Sequence, residues 1–324
     1  MTETVLVTGG AGFVGSHVCK ALAENGLQPV TYDNLSRGHR WAVQWGPLVI
    51  GELSDRDTLT AAIMRYRPAA VLHFASSIEA GASVTNPGAF YENNVCNTLA
   101  LLQTVREHDI DRVVFSSSAA VYGNPETLPI PESHPTQPVN PYGATKLMCE
   151  RILQDFAGAY GMRSVSLRYF NAAGADPGAA IGEAHDPETH LIPLVLDAAA
   201  GLREDIAIFG EDYDTPDGTC IRDYVHVSDL AEAHRLALAH TATANGATAY
   251  NLGTGRGHSV RAVIASAERV TGTSIATRIV DRRTGDPPVL VADPAAAIRV
   301  LGWKPRSIGI DTQISDAWRW HQSR

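Results

Sequence analysis

Lysine is nearly missing from this sequence. Lys20, Lys146 and Lys304 are the only three in 324 residues. Basic charge falls short overall, leaving a formal net charge of −9, which argues against nucleic acid or an anionic membrane as the main partner. An anionic ligand would have to find local basic residues. Long apolar runs are missing too: none approaches the ~20 residues of a spanning helix, so no membrane partner is expected. No basic-then-apolar segment opens the chain, because Met1-Thr-Glu-Thr leads straight into an apolar strand, and a cytoplasmic location is expected. The four cysteines, Cys19, Cys96, Cys149 and Cys220, are scattered without metal-type spacing. Reduced thiols and no metal are the expectation. There is no short repeat or low-complexity tract, and the length suffices for one large domain or two intimately joined ones.

What is present is organised around Val5-Leu-Val-Thr-Gly-Gly-Ala-Gly-Phe-Val-Gly-Ser-His17. A β-branched run stops at Gly9 and Gly10, glycines recur at Gly12 and Gly15, and a helical apolar pattern follows (Phe13, Val14, Val18, Leu22). Strand, tight turn and helix in this order form the opening unit of a dinucleotide-binding fold. Two glycine spacings overlap, so either Gly9 or Gly10 can make the first turn. Pro29-Val-Thr-Tyr32 then ends in Asp33-Asn34, about twenty residues on, where a carboxylate meets a ribose 2′-hydroxyl. A carboxylate there repels a 2′-phosphate, which favours NAD over NADP.

Short apolar runs at 48–50, 70–73, 112–116 and 164–168 alternate with helical patterns at 57–66, 91–107 and 142–160. This predicts an α/β protein with a Rossmann-type doubly wound parallel sheet and ligands at the strand C-terminal ends. The residues to read therefore follow each strand: Asp33, Glu52-Leu53, Phe74-Ala-Ser-Ser77, Ser116-Ser-Ser118 and Tyr169-Phe-Asn171. From Asn171 the texture changes. Residues 172–188, rich in Gly, Ala, Pro and Asp, form a long irregular excursion typical of a binding segment or domain boundary. We expect a first domain over 1–170 and a smaller α/β substrate domain over 171–324, with segments around 220–255 returning to the first.

Tyr142-Gly-Ala-Thr-Lys146 follows Pro141, which places the tyrosine at a helix N-terminus. Residues four apart share a helix face, so the phenol and the ammonium can reach one ligand. Ten tyrosines and three lysines in 324 residues give ~0.09 such pairs by chance. A free tyrosine, with a pKa near 10, is a poor base at neutral pH. Lys146 and a positively charged nicotinamide can share the task of favouring its phenolate. Ser118, ending the preceding strand, can hydrogen-bond the same substrate oxygen.

With these residues in view, the chain resembles the extended short-chain dehydrogenase/reductase family along essentially its whole length, and within it the branch of UDP-hexose 4-epimerases. The stretches that carry the resemblance are Thr8–His17, Asp33-Asn-Leu35, His73-Phe-Ala75, Asn93-Asn-Val95, Ser116–Gly123, Pro141–Lys146, Arg168–Gly174, Ile208–Tyr213, Arg222–His226 and Arg283-Thr-Gly-Asp286. The resemblance implies an isomerase that interconverts UDP-glucose and UDP-galactose at sugar C4, through a 4-keto intermediate and with NAD retained. It implies Ser118, Tyr142 and Lys146 as catalytic residues. NAD contacts are implied at Gly9, Gly12, Phe13, Val14, Gly15, Asp33, Asn34, Glu52, Leu53, Phe74, Ala75, Asn93, Tyr142, Lys146 and Tyr169. UDP-sugar contacts are implied at Ser118, Tyr142, Asn171, His190, Leu191, Arg222, Arg283 and Asp286. A homodimer built on the stripes of 91–105 and 148–160 is implied as well. The arginines suit the role because a diphosphate needs fixed, charge-assisted donors.

Four positions depart from common patterns of that family. Glu52 stands for an Asp at the adenine, and Ile78 replaces a frequent Lys near the pyrophosphate. His190 stands for an Asn, and can serve substrate contact, packing or a loop hydrogen bond. Leu290 occupies the gate for N-acetylated sugars and is intermediate in size. Ala119 and Ala120 stand where a 4,6-dehydratase would want an acidic pair. The intact Ser118, Tyr142 and Lys146 also speak against a non-catalytic NAD sensor.

Overall fold

The structure, a computed structural model, describes residues 2–283 and 285–324, so Thr284 of the Arg283–Asp286 stretch lies outside the described residues. The first half alternates as read: β1 (Thr4–Thr8), α1 (Phe13–Glu24), β2 (Gln28–Asp33), β3 (Leu48–Ile50), α2 (Arg56–Tyr66) and β4 (Ala70–His73). Two short helices, α3 (Ala80–Thr85) and α4 (Pro87–Phe90), lead through a π-helical turn at Tyr91–Cys96 into α5 (Asn97–Glu107). Then come β5 (Arg112–Ser118), α6 (Pro141–Tyr160), β6 (Arg163–Tyr169), β7 (Asn171–Ala173), α7 (Leu191–Ala199), β8 (Ile206–Phe209), β9 (Ile221–His226), α8 (Val227–Thr241) and β10 (Ala247–Leu252). The chain closes with β11 (Gly257–Ser259), α9 (Val260–Thr271), β12 (Thr277–Val280), β13 (Val289–Leu290), α10 (Ala295–Leu301) and α11 (Ile310–Ser323).

Seven strands form one sheet in the order β10-β6-β5-β4-β1-β2-β3, and every pairing in it is parallel. Parallel strands need both faces covered, which explains why Val5, Leu6 and Val7 are all fully buried although they are consecutive. One core packs α1 and α8 on the side of Val5 and Val7; the other packs α2, α5 and α6 on the side of Leu6 and Val71. Strand order reverses between β1 and β4. That switch point, where both C-terminal ends open into a crevice, is where ligands bind in such sheets.

From residue 171 the chain builds smaller sheets. Strand β9 pairs with β7 along Tyr224–His226, and with β11 and β13 along Ile221–Asp223. Strands β8 and β12 form a separate parallel pair. The stretch around 220–255 divides its loyalty: β9 lies in the small sheet, α8 packs on α1, and β10 becomes the seventh strand of the large sheet. The π-helical turn is a feature that a uniform helical pattern over 91–107 could not announce. An extra residue per turn changes which side chains face the sheet.

Three histidines are sealed in this framework. Burial pushes His17 to about 4, His73 to about 3 and His234 to about 4, so each is neutral in the folded chain. The unfolded chain binds protons that the folded one refuses. Their contribution to stability is therefore complete above about pH 6.5 and is lost as pH falls toward the folded values. Near pH 5 each adds a slope of roughly 1.4 kcal/mol per pH unit. Urea midpoints followed from neutral pH down to about pH 4.5 should fall progressively; a flat profile would contradict neutral burial.

Candidate active site

The glycine turn settles the ambiguity that its sequence leaves open. Gly9 has φ +72 and makes the turn. A Cβ built on it would lie 2.5 Å from the Ala75 amide nitrogen, so β1 and β4 approach here backbone to backbone. A Cβ on Gly15 would lie 2.2 Å from the Gly9 carbonyl oxygen, which lets the first turn of α1 sit directly on the loop. Gly12 is the N-cap of α1 and provides no side-chain cap, so the first N–H groups of the helix remain available to an anion. Asp33, buried at the end of β2, accepts from Ala11 N at 3.0 Å and from Leu35 N at 2.8 Å. Its carboxylate thus braces the loop and keeps further lone pairs for a ribose hydroxyl. An open helix N-terminus beside a carboxylate and a glycine cradle fits NAD on chemical grounds.

Around that cradle the structure places the expected side chains in three groups. At the outer edge, Asn34 Nδ2 donates to both carboxylate oxygens of Glu52 at 3.0 Å, and Leu53 is buried beside them. Along the crevice, Phe74 and Ala75 follow β4, with the Phe74 ring 4.7 Å from that of His234. Phe13 packs edge-on to His17, with Val14 next to it against the core. Asn93 lies on the π-helical turn and donates to Ser77 Oγ at 3.1 Å. Its neighbour Asn94 is buried, accepts from Ser77 N, and donates to Ser77 O and to Thr145 Oγ1. The turn therefore fastens the loop after β4 to α6.

The third group is catalytic in character. Asn140 caps α6 by accepting from Gly143 N at 2.9 Å, and Ser83 Oγ accepts from Tyr142 N at 3.1 Å. Gly143 lies so close to the chain after β5 that a Cβ would come within 2.4 Å of the Ala120 carbonyl oxygen. This contact brings Tyr142 up to Ser118. Lys146 Nζ donates to Ser76 Oγ and to the Ser116 carbonyl oxygen, both at 2.8 Å, and stands 5.8 Å from the centroid of the Tyr142 ring. Burial lowers Lys146 from its ordinary 10.5 to about 8. Tyr169, ending β6, shares a hydrogen bond with Ser116 Oγ at 2.5 Å.

Burial raises the Tyr142 pKa above 10, and a hydrogen bond with Ser118 offsets only part of this. In the protein alone the phenol pKa is therefore not lowered. The charges that the sequence reading assigns to that task are the Lys146 ammonium, which here donates to Ser76 and Ser116, and a bound nicotinamide.

On the facing side, Asn171 in β7 lies in register with Tyr224 of β9. Arg222 in β9 donates to Asp286 Oδ1 at 2.7 Å, and its Cα partner across the pair is Leu290 of β13. Leu290 packs on the buried cluster of Ala119, Val121 and Phe170, immediately beyond Ser118. Arg283 stacks 3.9 Å over the Phe209 ring. His190 immediately precedes α7, whose first residue is Leu191. Its imidazole does not project alone but joins Glu183, His185 and Glu188. Sequence reasoning quoted the stretches that hold Ser76, Asn94 and Arg168 but gave these residues no role, and it passed over Ser83 and Glu150.

A glycine cradle, an acidic strand end and a serine–tyrosine–lysine group at the switch point define an NAD-dependent enzyme of short-chain dehydrogenase/reductase architecture. The chain belongs to the NAD dependent epimerase/dehydratase family, whose profile matches residues 5–253. It is 50% identical over 322 residues to a UDP-glucose 4-epimerase of Rhizobium meliloti (strain 1021), covering 99% of this chain and 98% of that protein. The crystal structure of UDP-glucose 4-epimerase from Brucella ovis in complex with NAD superposes with TM-score 0.95 at 52% identity, covering 98% of both chains. That from Bifidobacterium longum in complex with NAD+ and UDP gives TM-score 0.95 at 37% identity, covering 99% of this chain and 98% of that one.

The Gly15 contact makes a sharp prediction. Gly15→Ala forces the Gly9 carbonyl away, an overpacking cost of about 1–3 kcal/mol. NAD retained per chain after gel filtration should fall about tenfold or more, as read from the absorbance ratio. Unchanged retention would mean that the turn is not the cofactor cradle.

Proposed function

We propose that this chain interconverts UDP-glucose and UDP-galactose by 4-epimerisation, with NAD held as a resident hydride acceptor. The observation that carries the reading is Tyr142, held on Ser118 and one helical turn from Lys146, at the switch point of the sheet. NAD, when bound, supplies an acceptor that can return a hydride to either face of a 4-keto sugar. The chain's residues do the rest. Gly9, Gly12, Gly15, Phe13 and Val14 receive the pyrophosphate side, Asp33 takes the ribose, and Phe74, Ala75, Asn93, Tyr169 and Lys146 line the nicotinamide side. Tyr142 accepts the proton of the sugar 4′-hydroxyl as hydride leaves C4, and gives it back when hydride returns. Ser118 hydrogen-bonds the same oxygen through the keto stage.

The UDP end stays fixed while the sugar turns. Arg222 and Arg283 supply the charge-assisted donors for the diphosphate, with Asp286 orienting Arg222 through their ion pair. Asn171 and Leu191 border the sugar. In this reading residues 1–170 form the cofactor domain and 171–324 the UDP-sugar domain. A cytoplasmic homodimer in galactose metabolism completes it, with Met148 and Tyr160 exposed on α6 as candidate contacts.

Tyr142→Phe removes the group proposed to take the 4′-proton. With bound NAD unchanged, conversion of UDP-galactose should fall by about 100-fold or more, in the range that general-base catalysis contributes. Normal turnover by this variant would overturn the assignment. At the gate, Leu290 should hold UDP-N-acetylglucosamine turnover far below that of UDP-glucose, and Leu290→Ala should raise it about tenfold, as one pocket side chain can. A coupled assay on both substrates reads the ratio.

A further inference from the structure

The loop that joins β7 to α7 carries four donors in eight residues, Glu183-x-His185-x-x-Glu188-x-His190, and the fold gathers all four. One ligand atom from each lies within 4.8 Å of every other. His190 Nδ1 stands 2.8 Å from Glu183 Oε1 and 3.0 Å from Glu188 Oε1. His185 Nδ1 stands 3.0 Å from the same Glu183 oxygen and 3.6 Å from Glu188 Oε2. We propose that this tetrad is a divalent-cation site of the zinc class.

Three features carry the assignment. The first is size: ligands at about 2.0–2.2 Å from a tetrahedral zinc ion lie roughly 3.3–3.6 Å from one another. The four nitrogen–oxygen separations run from 2.8 to 3.6 Å, so a cation entering the tetrad would spread its ligands by about half an ångström. The second is convergence and charge. Both Nδ1 atoms face both carboxylates and converge on the same Glu183 oxygen, so all four groups point at one place, where a cation competes with protons. One cation between the four atoms satisfies them together, and two carboxylates with two neutral imidazoles balance its charge. The third is outer support. Glu188 Oε1 also accepts from Thr189 N at 2.7 Å and His190 N at 2.9 Å, while the Glu183 carbonyl accepts from Trp320 Nε1 at 2.9 Å. Such bonds aim ligands at a metal. Two nitrogens and two carboxylate oxygens suit Zn²⁺ better than Mg²⁺ or Ca²⁺, which prefer all-oxygen sets.

The site has a structural task. Its loop is tied to the loop that follows β2, because Arg37 donates to Asp186 O and His39 Nε2 meets Ala184 O. His185 also packs edge-on to Phe13, at the start of α1. The cation would clamp this cover of the helix α1 N-terminus to the first turn of α7. The sequence reading weighed only the cysteines and expected no metal; the tetrad is built of histidine and glutamate instead.

The proposal does not rest on the epimerase reading and is tested without an assay of turnover. Untagged full-length protein with its NAD is analysed by mass spectrometry for metals, then stripped with chelator and titrated with Zn²⁺ while tryptophan fluorescence reports on Trp320. One Zn²⁺ should bind per chain, with a rise in Tm. The near-isosteric variants H185N and E188Q should each weaken Zn²⁺ binding at least about 100-fold, with circular dichroism unchanged. Absence of saturable Zn²⁺ binding by the stripped wild-type protein would overturn the site, as would equal affinity in both variants. If either variant fails to fold, the metal content and titration of the wild-type chain decide alone.

Discussion

The buried ammonium of Lys146 is the constraint on which the catalytic end of the molecule depends. Only 2% of the residue is exposed, yet it carries a group that strongly prefers water. Two hydrogen bonds compensate, and each comes from a different strand end: Ser76 after β4 and the Ser116 carbonyl within β5. The ammonium therefore joins α6 to two neighbouring strands at the crevice. Its lowered pKa of about 8 is the measure of how dry that position is. A third N–H remains for a ligand, which a lysine can offer without giving up its structural bonds.

Close backbone contact serves the same end by other means. Gly9 against Ala75, Gly15 against Gly9 and Gly143 against Ala120 each bring main chain to main chain with no room for a Cβ. The first two shape the cradle; the third presses the start of α6 onto the end of β5. Behind these contacts Glu150 pairs with Arg168 and accepts from Ser117, and Arg168 also donates to the Tyr122 hydroxyl. A buried pair of this kind stabilises little by itself. Here it fixes the register of α6 against β5 and β6, and so the height of Tyr142 above the sheet.

The parallel sheet was legible because its strands are buried on both faces and read as continuous apolar runs, ending where glycine, serine or aspartate take over. Tyr142 and Lys146 were legible for a different reason: lysine is so scarce that a chance pair was improbable. The supporting residues were not. Ser76, Ser83 and Asn94 act through hydrogen bonds that exist only once β4, α3 and the π-helical turn meet, and a serine in sequence carries no mark of its partner. The choice between Gly9 and Gly10 also needed a backbone dihedral. The Glu183–His190 tetrad was not assembled from sequence: its segment read as an irregular binding segment or domain boundary, and His190 alone was singled out, as a substrate contact.

In the function proposed for this chain, the position of Tyr142 would couple acid–base chemistry to cofactor binding. In the protein alone, burial raises the Tyr142 pKa and the hydrogen bond with Ser118 offsets only part of this. In the proposed reaction, an oxidised nicotinamide bound beside the phenol would add positive charge to that of Lys146 and favour the phenolate. Loss of that charge on reduction would favour the protonated phenol again. In that proposal, the dryness that makes Tyr142 a poor base by itself would tie each proton transfer to the hydride transfer that accompanies it.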